Sequence, residues 1–288
     1  MIKKAILLAG GLGTRMSPIT RSINKHLLPI NDKPLIYYPL SILMLSGIKQ
    51  ILLIVNSGSS NHFRKILGDG SRFGIKIKYA EQKKPQGVPD AFNIGENFIG
   101  KDNVALILGD NFFYGQSLSS QLIKASKMKS GSKIFLHPVG NPSALGVAKV
   151  KNRKVISIEE KPKNPKSNLA ITGLYFFDNS VIKKTKKLTK SRRNELEIVD
   201  ILNLYKRENK LNAELLGRGA AWLDAGTFED LLETSNFVHL IERRQRMKIA
   251  CLEEIALNKS WINKKSIKQS ILFYGNCEYS KYLKSLIN

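Results

Sequence analysis

Apolar runs alternate with segments of helical periodicity through the first half of the chain, and this alternation restricts the fold more than any other feature. Residues 3–9, 49–56 and 103–111 are predicted strands with a continuous apolar centre. Helices are predicted between them, for example over 34–47 and 88–99. Strands that are apolar on both faces and separated by helices are typical of a parallel sheet covered on both sides. The sequence therefore predicts an α/β fold.

The second half of the chain has a different pattern. Strand-like runs follow each other with little helix between them, at 132–139, 146–151, 154–161 and 170–178. This favours an antiparallel extension at one edge of the sheet. Helices are predicted over 195–209 and 227–247, and the remaining residues are helical or irregular. We expect a Rossmann-like, mostly parallel sheet flanked by helices, with a smaller antiparallel extension and a helical C-terminal part.

Length and composition exclude several classes of protein. With 288 residues, of which 42% are hydrophobic, the chain can bury a substantial core. Cys251, Cys277 and the four histidines are too scattered for a zinc site, so both cysteines are expected to be reduced thiols. No apolar run has the ~20 residues of a membrane helix. The short apolar stretch near the N-terminus runs into a glycine turn, so we interpret it as a buried strand and expect a cytoplasmic protein with no membrane partner.

The chain is strongly basic, with a net charge of +24 from 47 basic and 23 acidic residues. Such a charge is compatible with a nucleic-acid partner. The basic residues, however, lie in short clusters along the chain, as in 183–193, without a basic tail or a nucleic-acid-binding motif. We therefore predict no nucleic-acid partner, and anionic substrates such as nucleotides and sugar phosphates.

A glycine-rich turn follows the first predicted strand, in the segment LLAGGLGTRMSP. It lacks the third glycine of a dinucleotide fingerprint and the G-K-[ST] end of a Walker A loop. Gly10, Gly11 and Gly13 nevertheless allow a ligand to approach the backbone N–H groups closely. Arg15 adds a planar cation that suits a phosphate. The turn is therefore a candidate polyphosphate site.

Lys25 and two aspartates extend this candidate site. Lys25 is a second cation for the same polyphosphate, and Asp110 follows the apolar run ALIL, at the edge where parallel sheets bind ligands. Taken alone, an aspartate at position 110 is as typical of a turn or a helix cap as of a metal site. Asp224, in WLDAGT, is either a metal ligand or the cap of the next helix, a role that Thr227 also suits. Two carboxylates beside a polyphosphate fit Mg²⁺, which binds one or two carboxylates together with phosphates and water.

The segment IEEKP (residues 158–162) places adjacent charges at the end of a predicted strand. Neighbouring side chains of a strand point to opposite faces, so only one of Glu159 and Glu160 is expected to enter a site. The segment is either an exposed charged strand end, or a site in which a glutamate binds sugar hydroxyls and Lys161 binds the phosphate of the sugar.

These segments together resemble the sugar nucleotidyltransferases nearly from end to end. The resemblance includes AILLAGGLGTRMSP, LLGDGSRFG, LGDNFFYG, EEKPKNPKSNLAITGLYFFDNSV, RRNELEIVDI and GRGAAWLDAGT. It is greatest for members that use dTTP and glucose 1-phosphate to make dTDP-glucose and pyrophosphate. It implies an Mg²⁺-dependent reaction, in which the sugar phosphate oxygen attacks the α-phosphorus of the nucleotide in line, without a covalent enzyme intermediate.

The resemblance also implies a role for individual residues. Arg15, Lys25 and Lys161 are the expected catalytic cations, and Asp110 and Asp224 the expected Mg²⁺ ligands. The other implied contacts are Gly10, Gly11, Gly13, Thr14, Gln82 and Gly87 for the nucleotide, the last two at its base, and Leu145, Gly146, Glu160 and Lys161 for the sugar phosphate.

Two segments depart from the family pattern. Gly87-Val88-Pro89-Asp90 stands where the family usually has Gly-Leu-Ala-Gln, and Leu145-Gly146 where it usually has Tyr-Gly. A leucine cannot donate a hydrogen bond as a tyrosine can. A nucleotidyltransferase for another hexose 1-phosphate therefore stays an alternative, as does a regulatory homologue without activity.

The resemblance extends to the assembly of the protein. The segments CLEEIA and GRGAAW resemble those with which the family forms subunit contacts and a second nucleotide pocket for feedback inhibition. A homotetramer is therefore expected, with residues 1–240 as the catalytic domain and 241–288 as a C-terminal helical extension that makes subunit contacts.

Overall fold

A computed structural model describes residues 1–152 and 154–288 and contains a central, mostly parallel sheet. The strands in these residues are β1 (Lys4–Ala9), β2 (Pro29–Ile30), β3 (Lys33–Pro34), β4 (Gln50–Asn56), β5 (Lys76–Gln82), β6 (Val104–Leu108), β7 (Asn111–Tyr114), β8 (Ser132–Pro138), β9 (Gly146–Lys151), β10 (Lys154–Glu160), β11 (Leu169–Phe177), β12 (Leu211–Leu215) and β13 (Ala221–Asp224).

Helices cover both faces of the sheet and form the C-terminal part. They are α1 (Tyr37–Leu45), α2 (Ser60–Leu67), α3 (Asp90–Ile94), α4 (Glu96–Ile99), α5 (Leu118–Ser126), α6 (Ser180–Thr185), α7 (Ile198–Arg207), α8 (Phe228–Gln245), α9 (Leu252–Asn258), α10 (Lys264–Tyr274) and α11 (Glu278–Ser285). In the described ranges, no helix is both long enough and apolar enough to cross a membrane.

The sheet order is β10-β9-β11-β6-β1-β4-β5, with β8 and β12 paired beyond β11. The four strands β6, β1, β4 and β5 are parallel, whereas β8, β9, β10 and β11 form antiparallel pairs. A separate two-stranded antiparallel ladder joins β7 to β13. The predicted α/β sheet with an antiparallel extension is confirmed.

Both faces of the parallel strands are buried, as their continuous apolar sequences predict. On β1, the side chains of Ala5 and Leu7 pack into one apolar cluster with α1, α2, α5 and α9. The intervening Ile6 packs into a second cluster with α3, α6 and α7. This alternation follows from the two-residue repeat of a strand, and it fixes the register that brings the strand ends together at one edge.

The glycine turn leads into three short 3-10 turns, and the first long helix is α1, within the predicted range 34–47. Local structure differs from the sequence prediction at two places. The strand predicted over 103–111 ends at Leu108, and after Gly109 and Asp110 the chain enters the small β7–β13 sheet. The helix predicted over 88–99 is interrupted at Gly95, where a Cβ would lie 2.9 Å from the Ile6 side chain. Close contact with β1 therefore requires glycine at that break.

The C-terminal residues form three helices anchored by a buried carboxylate. Glu253 on α9 is fully buried and accepts hydrogen bonds from Tyr274 on α10 (2.9 Å) and Tyr279 on α11 (2.7 Å). The Tyr37 hydroxyl on α1 is 3.0 Å from the Tyr274 hydroxyl, which links this network to the central core. Helix α8 continues across residue 240 to Gln245, so the proposed division between two parts falls inside a helix.

Candidate active site

The carboxyl ends of the central strands open into a cavity of about 270 Å³. The parallel strands β1 and β6 lie side by side, so the glycine turn after β1 and Asp110 after β6 meet at one edge. Polar and charged side chains that line the cavity include Arg15, Asp110, Glu160, Lys161, Tyr175 and Asp224. Together with Leu145 and Gly146, which also line the cavity, the site contains seven of the residues that the sequence singled out.

A buried ion pair joins Lys25 to Asp110 at the bottom of the glycine turn. Lys25 begins a 3-10 turn capped by Asn24, and the Asn24 amide donates a hydrogen bond to the carbonyl of Ala9 at the end of β1 (3.2 Å). This bond holds Lys25 beneath the turn, where its side chain is within 3.7 Å of a Cβ built on Gly11.

The environment keeps Asp110 charged and His26 neutral. Burial by itself raises the pKa of the Asp110 carboxyl, but the Lys25 ammonium outweighs it and holds that pKa well below its usual range. Burial, reinforced by the charge of Lys25, lowers the pKa of His26 to about 3. The neutral imidazole lies against the backbone of Gly109. A Cβ built on Gly109 would be only 2.9 Å from Nε2 of His26.

Asp224 lies beside Asp110 because of the β7–β13 ladder. Asp224 pairs with Asn111 in that ladder, and the N–H of Ala225 donates to the carbonyl of Asp110 (2.9 Å). Burial, together with the negative charge of Asp110, raises the pKa of Asp224 to about 7. Thr227 caps α8 by accepting a hydrogen bond from the N–H of Asp230 (3.2 Å). Asp224 is therefore not the capping residue of this helix.

Arg15 approaches Asp224 from the glycine turn. A Cβ on Gly226 would lie 2.8 Å from Nη2 of Arg15 and 3.4 Å from Oδ1 of Asp224, so glycine at 226 leaves space for the guanidinium. The turn itself depends on Gly13, whose φ of 65° is left-handed. Thr14 begins the 3-10 turn that carries Arg15. The turn therefore brings a planar cation near Asp224.

The predicted sugar-phosphate residues lie on the antiparallel side of the cavity. Gly146 and Glu160 are partners in the β9–β10 ladder, and Glu160 lines the cavity whereas Glu159 pairs with Lys166 (3.5 Å), as strand periodicity predicts. Lys161 donates its N–H to the carbonyl of Leu145 (3.0 Å) with a φ of 44°. A left-handed residue other than glycine costs roughly 1 kcal/mol, so the fold imposes a strained backbone to direct Lys161.

The predicted base residues lie on the opposite side, beyond the lining of this cavity. Gln82 ends β5 and is buried, and its Oε1 would be 2.6 Å from a Cβ on Gly10. Gly87 has a φ of 100°, and a Cβ there would be 2.0 Å from the carbonyl oxygen of Leu196. Any other residue at 87 would displace the segment before α7. Val88, which follows Gly87 in the chain, lines the cavity.

Sequence reasoning missed four polar side chains of the site. The Asn111 carbonyl oxygen accepts from the Trp222 indole (2.6 Å) and from the N–H of Gly173 (2.9 Å), while its amide donates to Asp110 (3.1 Å). Arg193 donates to Glu160 (3.1 Å). Tyr175 lines the cavity from β11. Arg193 stands within the recognised segment RRNELEIVDI, but no local pattern distinguishes its side chain.

The two aspartates are suited to a divalent cation that substrate oxygens also bind. In residues 1–152 and 154–288, no three His, Cys, Asp or Glu side chains are grouped to hold a metal ion by themselves. The raised pKa of Asp224 shows that two neighbouring carboxylates share a desolvated place with too little positive charge. A cation between them would relieve this repulsion, and Mg²⁺ accepts such a ligand set when phosphates complete it.

The two aspartates are predicted to affect stability in opposite directions. Asp110→Asn leaves the buried Lys25 ammonium without its counter-charge and should lower the free energy of unfolding by about 3 kcal/mol. Asp224→Asn removes a carboxylate whose charge is disfavoured by burial and by Asp110. This substitution should raise the free energy of unfolding by about 2 kcal/mol. Urea denaturation at pH 8 in the presence of a chelator measures both. A change of the same sign in both variants would contradict this description of the pair.

Comparisons with known proteins agree with this site. A family model described as nucleotidyl transferase matches residues 4–240. Glucose-1-phosphate thymidylyltransferases from Neisseria meningitidis serogroup A and Mycobacterium tuberculosis are 48% and 46% identical to the chain over 285 residues, and each match covers 99% of both proteins.

Solved structures give the same result. A Bacillus anthracis protein assigned as a glucose-1-phosphate thymidylyltransferase, in complex with sucrose, matches with a TM-score of 0.76 and 39% identity over 81% of this chain and 94% of the other. A UDP-glucose pyrophosphorylase complexed with UDP-glucose matches with a TM-score of 0.73 and 25% identity. This match covers 84% of the present chain and 100% of the other. The chain therefore belongs to the nucleotidyl transferase family, in the branch that contains the glucose-1-phosphate thymidylyltransferases.

Proposed function

We propose that the chain transfers a thymidylyl group from dTTP to glucose 1-phosphate, giving dTDP-glucose and pyrophosphate. One observation carries this proposal: the carboxylates of Asp110 and Asp224 line one cavity together with Arg15 of the glycine turn and with Glu160 and Lys161. The relatives that match the chain over its length are named for this reaction. The chain is thus an enzyme of nucleotidyl transfer, with dTTP and glucose 1-phosphate as the proposed pair of substrates.

The order of the strands supports a place for each substrate. β1 and β6 are central, and they carry the glycine turn and Asp110. On one side, β9 and β10 carry Gly146, Glu160 and Lys161, which we assign to the sugar phosphate. On the other side, β5 ends at Gln82, which together with Gly87 we assign to the base. A nucleotide and a sugar phosphate placed in this way meet above the two aspartates.

Charge neutralisation is the main task of this chain's residues in the reaction. An oxygen of the sugar phosphate attacks the α-phosphorus of dTTP, the bond to the β-phosphate breaks, and pyrophosphate leaves. Two phosphate charges 4 Å apart repel by ~4 kcal/mol at an effective dielectric constant of 20. Arg15 and Lys25 offset the charge of the nucleotide, and Lys161 that of the sugar phosphate. The amides of Gly10, Gly11 and Gly13 face the same phosphates, next to Thr14.

Asp110 and Asp224 would hold Mg²⁺, which when bound supplies positive charge for the phosphates and fixes their positions. Asn111 supports this role, because its amide donates to Asp110 and orients that carboxylate (3.1 Å). In the proposed reaction the sugar phosphate oxygen itself attacks the α-phosphorus, so the reaction depends on positioning rather than on a protein nucleophile.

The function is tested by pyrophosphate release over a grid of nucleoside triphosphates and sugar 1-phosphates, with and without Mg²⁺. The proposal predicts the highest kcat/KM for dTTP with glucose 1-phosphate, and no turnover in a chelator. Absence of turnover for every pair with Mg²⁺ present would contradict it and favour a regulatory homologue without activity.

We also propose a homotetramer, with subunit contacts through residues 241–288 and through the exposed face of α8, the helix that leads into them. Helix α8 exposes Phe228, Leu232 and Leu240, which recur at multiples of four residues and form an apolar stripe on one face. A second cavity, of about 240 Å³, lies against α9 and includes Lys248 and Glu254. It is the proposed second nucleotide pocket. The proposed location of the protein is the cytoplasm.

Arg15 is predicted to act on the leaving pyrophosphate. Its guanidinium lies near Asp224, on the glycine turn proposed for the nucleotide phosphates. Arg15→Lys, which keeps the charge but loses the planar fork, should therefore reduce kcat by roughly 10- to 100-fold. The KM for glucose 1-phosphate should stay within about twofold. Lys161→Arg is the matched control and should mainly change that KM. A rise confined to the sugar-phosphate KM in the Arg15 variant would overturn the assignment.

Leu145 favours a second candidate, an enzyme that also accepts other hexose 1-phosphates. Leu145 lines the cavity next to Gly146, and an apolar wall discriminates between sugars by only ~1–3 kcal/mol, less than a hydrogen-bonding group. Leu145→Tyr should therefore improve kcat/KM for glucose 1-phosphate relative to glucosamine, N-acetylglucosamine and deoxyglucose 1-phosphates. Leu145→Met is the matched apolar control. The same ratios for the wild type and Leu145→Tyr would remove this candidate.

A further inference from the structure

We propose that Asp90 fixes the orientation of the Gln82 side-chain amide and thereby makes the site prefer a base with an N3–H group, thymine or uracil, over cytosine. The inference rests on the proposed function, because it takes Gln82 as a contact of the base. Asp90 is the residue at which this chain departs from the Gln of the family pattern. It would act through Gln82 and is a positioning residue.

The contact between the two side chains has one chemically allowed direction. Both residues are buried, with 6% of Gln82 and 8% of Asp90 exposed, and the Gln82 Nε2 lies 3.1 Å from Oδ2 of Asp90. A carboxylate only accepts hydrogen bonds, so the NH₂ end of the amide must face it. The second carboxylate oxygen is 3.3 Å from Nδ2 of Asn93, on the same helix.

The carbonyl end of the amide is consequently turned toward the glycine turn. The Gln82 Oε1 would be 2.6 Å from a Cβ on Gly10, so it lies directly against the first glycine. Among the described residues, no donor makes a hydrogen bond to this oxygen, and it is not sealed from solvent. A hydrogen-bond acceptor is therefore presented at the place where the nucleotide would follow the turn.

An acceptor in this position distinguishes two classes of pyrimidine. Thymine and uracil carry a donor at N3, whereas cytosine carries a lone pair at N3 and an amino group at position 4. A glutamine that turns over by exchanging its O and NH₂ ends serves either base. With Asp90 present, the turned-over amide would bring two acceptor oxygens together in a buried place, which is unfavourable. The carboxylate thus selects one orientation of the amide.

The test is the base preference of Asp90→Asn and Asp90→Ala. We measure kcat/KM for dTTP, dUTP and dCTP with glucose 1-phosphate as the second substrate. In either variant the ratio of kcat/KM for dTTP to that for dCTP should fall by roughly 10- to 100-fold. The reason is that a buried hydrogen bond to a charged group no longer opposes the exchange of the O and NH₂ ends of Gln82. The dTTP to dUTP ratio and the KM for glucose 1-phosphate should stay unchanged.

Two controls separate positioning from a structural role in α3. Asn93→Ala removes the other neighbour of Asp90 on the same helix and should leave the dTTP to dCTP ratio unchanged. In a Gln82→Ala background, Asp90→Asn should have no further effect on that ratio, because the residue through which it acts is absent. Melting temperatures of all variants show which of them are folded.

Three results would count against the inference. An unchanged dTTP to dCTP ratio in a folded, active Asp90→Asn protein would overturn it and leave the proposed function intact. Loss of folding in both Asp90 variants would overturn it as well, by assigning Asp90 to the stability of α3. Inactivity of the unsubstituted chain with every triphosphate would contradict the proposed function, and the inference with it.

Discussion

The buried pair of Lys25 and Asp110 is the interaction on which the candidate site depends. It holds one carboxylate ionised at the end of β6, and it keeps an ammonium beneath the glycine turn after β1. Asp224 lies next to the Asp110 carboxylate, whose charge is already paired with Lys25. Burial and this neighbouring charge raise the pKa of Asp224 to about 7. The site without substrates is thus short of positive charge, which is the condition under which a divalent cation and its phosphates bind well.

The sheet converts this charge arrangement into a site for two substrates. Its parallel half ends in the glycine turn and in Gln82, and its antiparallel half ends in Glu160, directly before Lys161. The small β7–β13 ladder crosses between the halves and carries Asp224 to Asp110. Because the two halves approach from opposite sides, each can bind its own substrate while the reacting atoms stay above the aspartates.

Periodicity and strand-end chemistry were enough to predict the sheet, the glycine turn and both aspartates, because each depends on a short local segment. They were not enough for groups that meet only through the fold. The Gln82–Asp90 contact depends on how the chain turns between β5 and α3, and the position of Arg193 depends on the loop before α7. The end of β6 at Leu108 was missed because an apolar run does not show where a strand changes sheets.

The stereochemistry at the α-phosphorus tests the central claim most directly, namely that the two substrates meet and react in one step. dTTP with a single sulfur of known configuration on the α-phosphorus is converted with glucose 1-phosphate, and the configuration of the sulfur-labelled dTDP-glucose is read by phosphorus NMR. A single in-line displacement predicts inversion. Retention would show two successive displacements through a covalent enzyme intermediate, and would contradict the direct transfer between the two substrates.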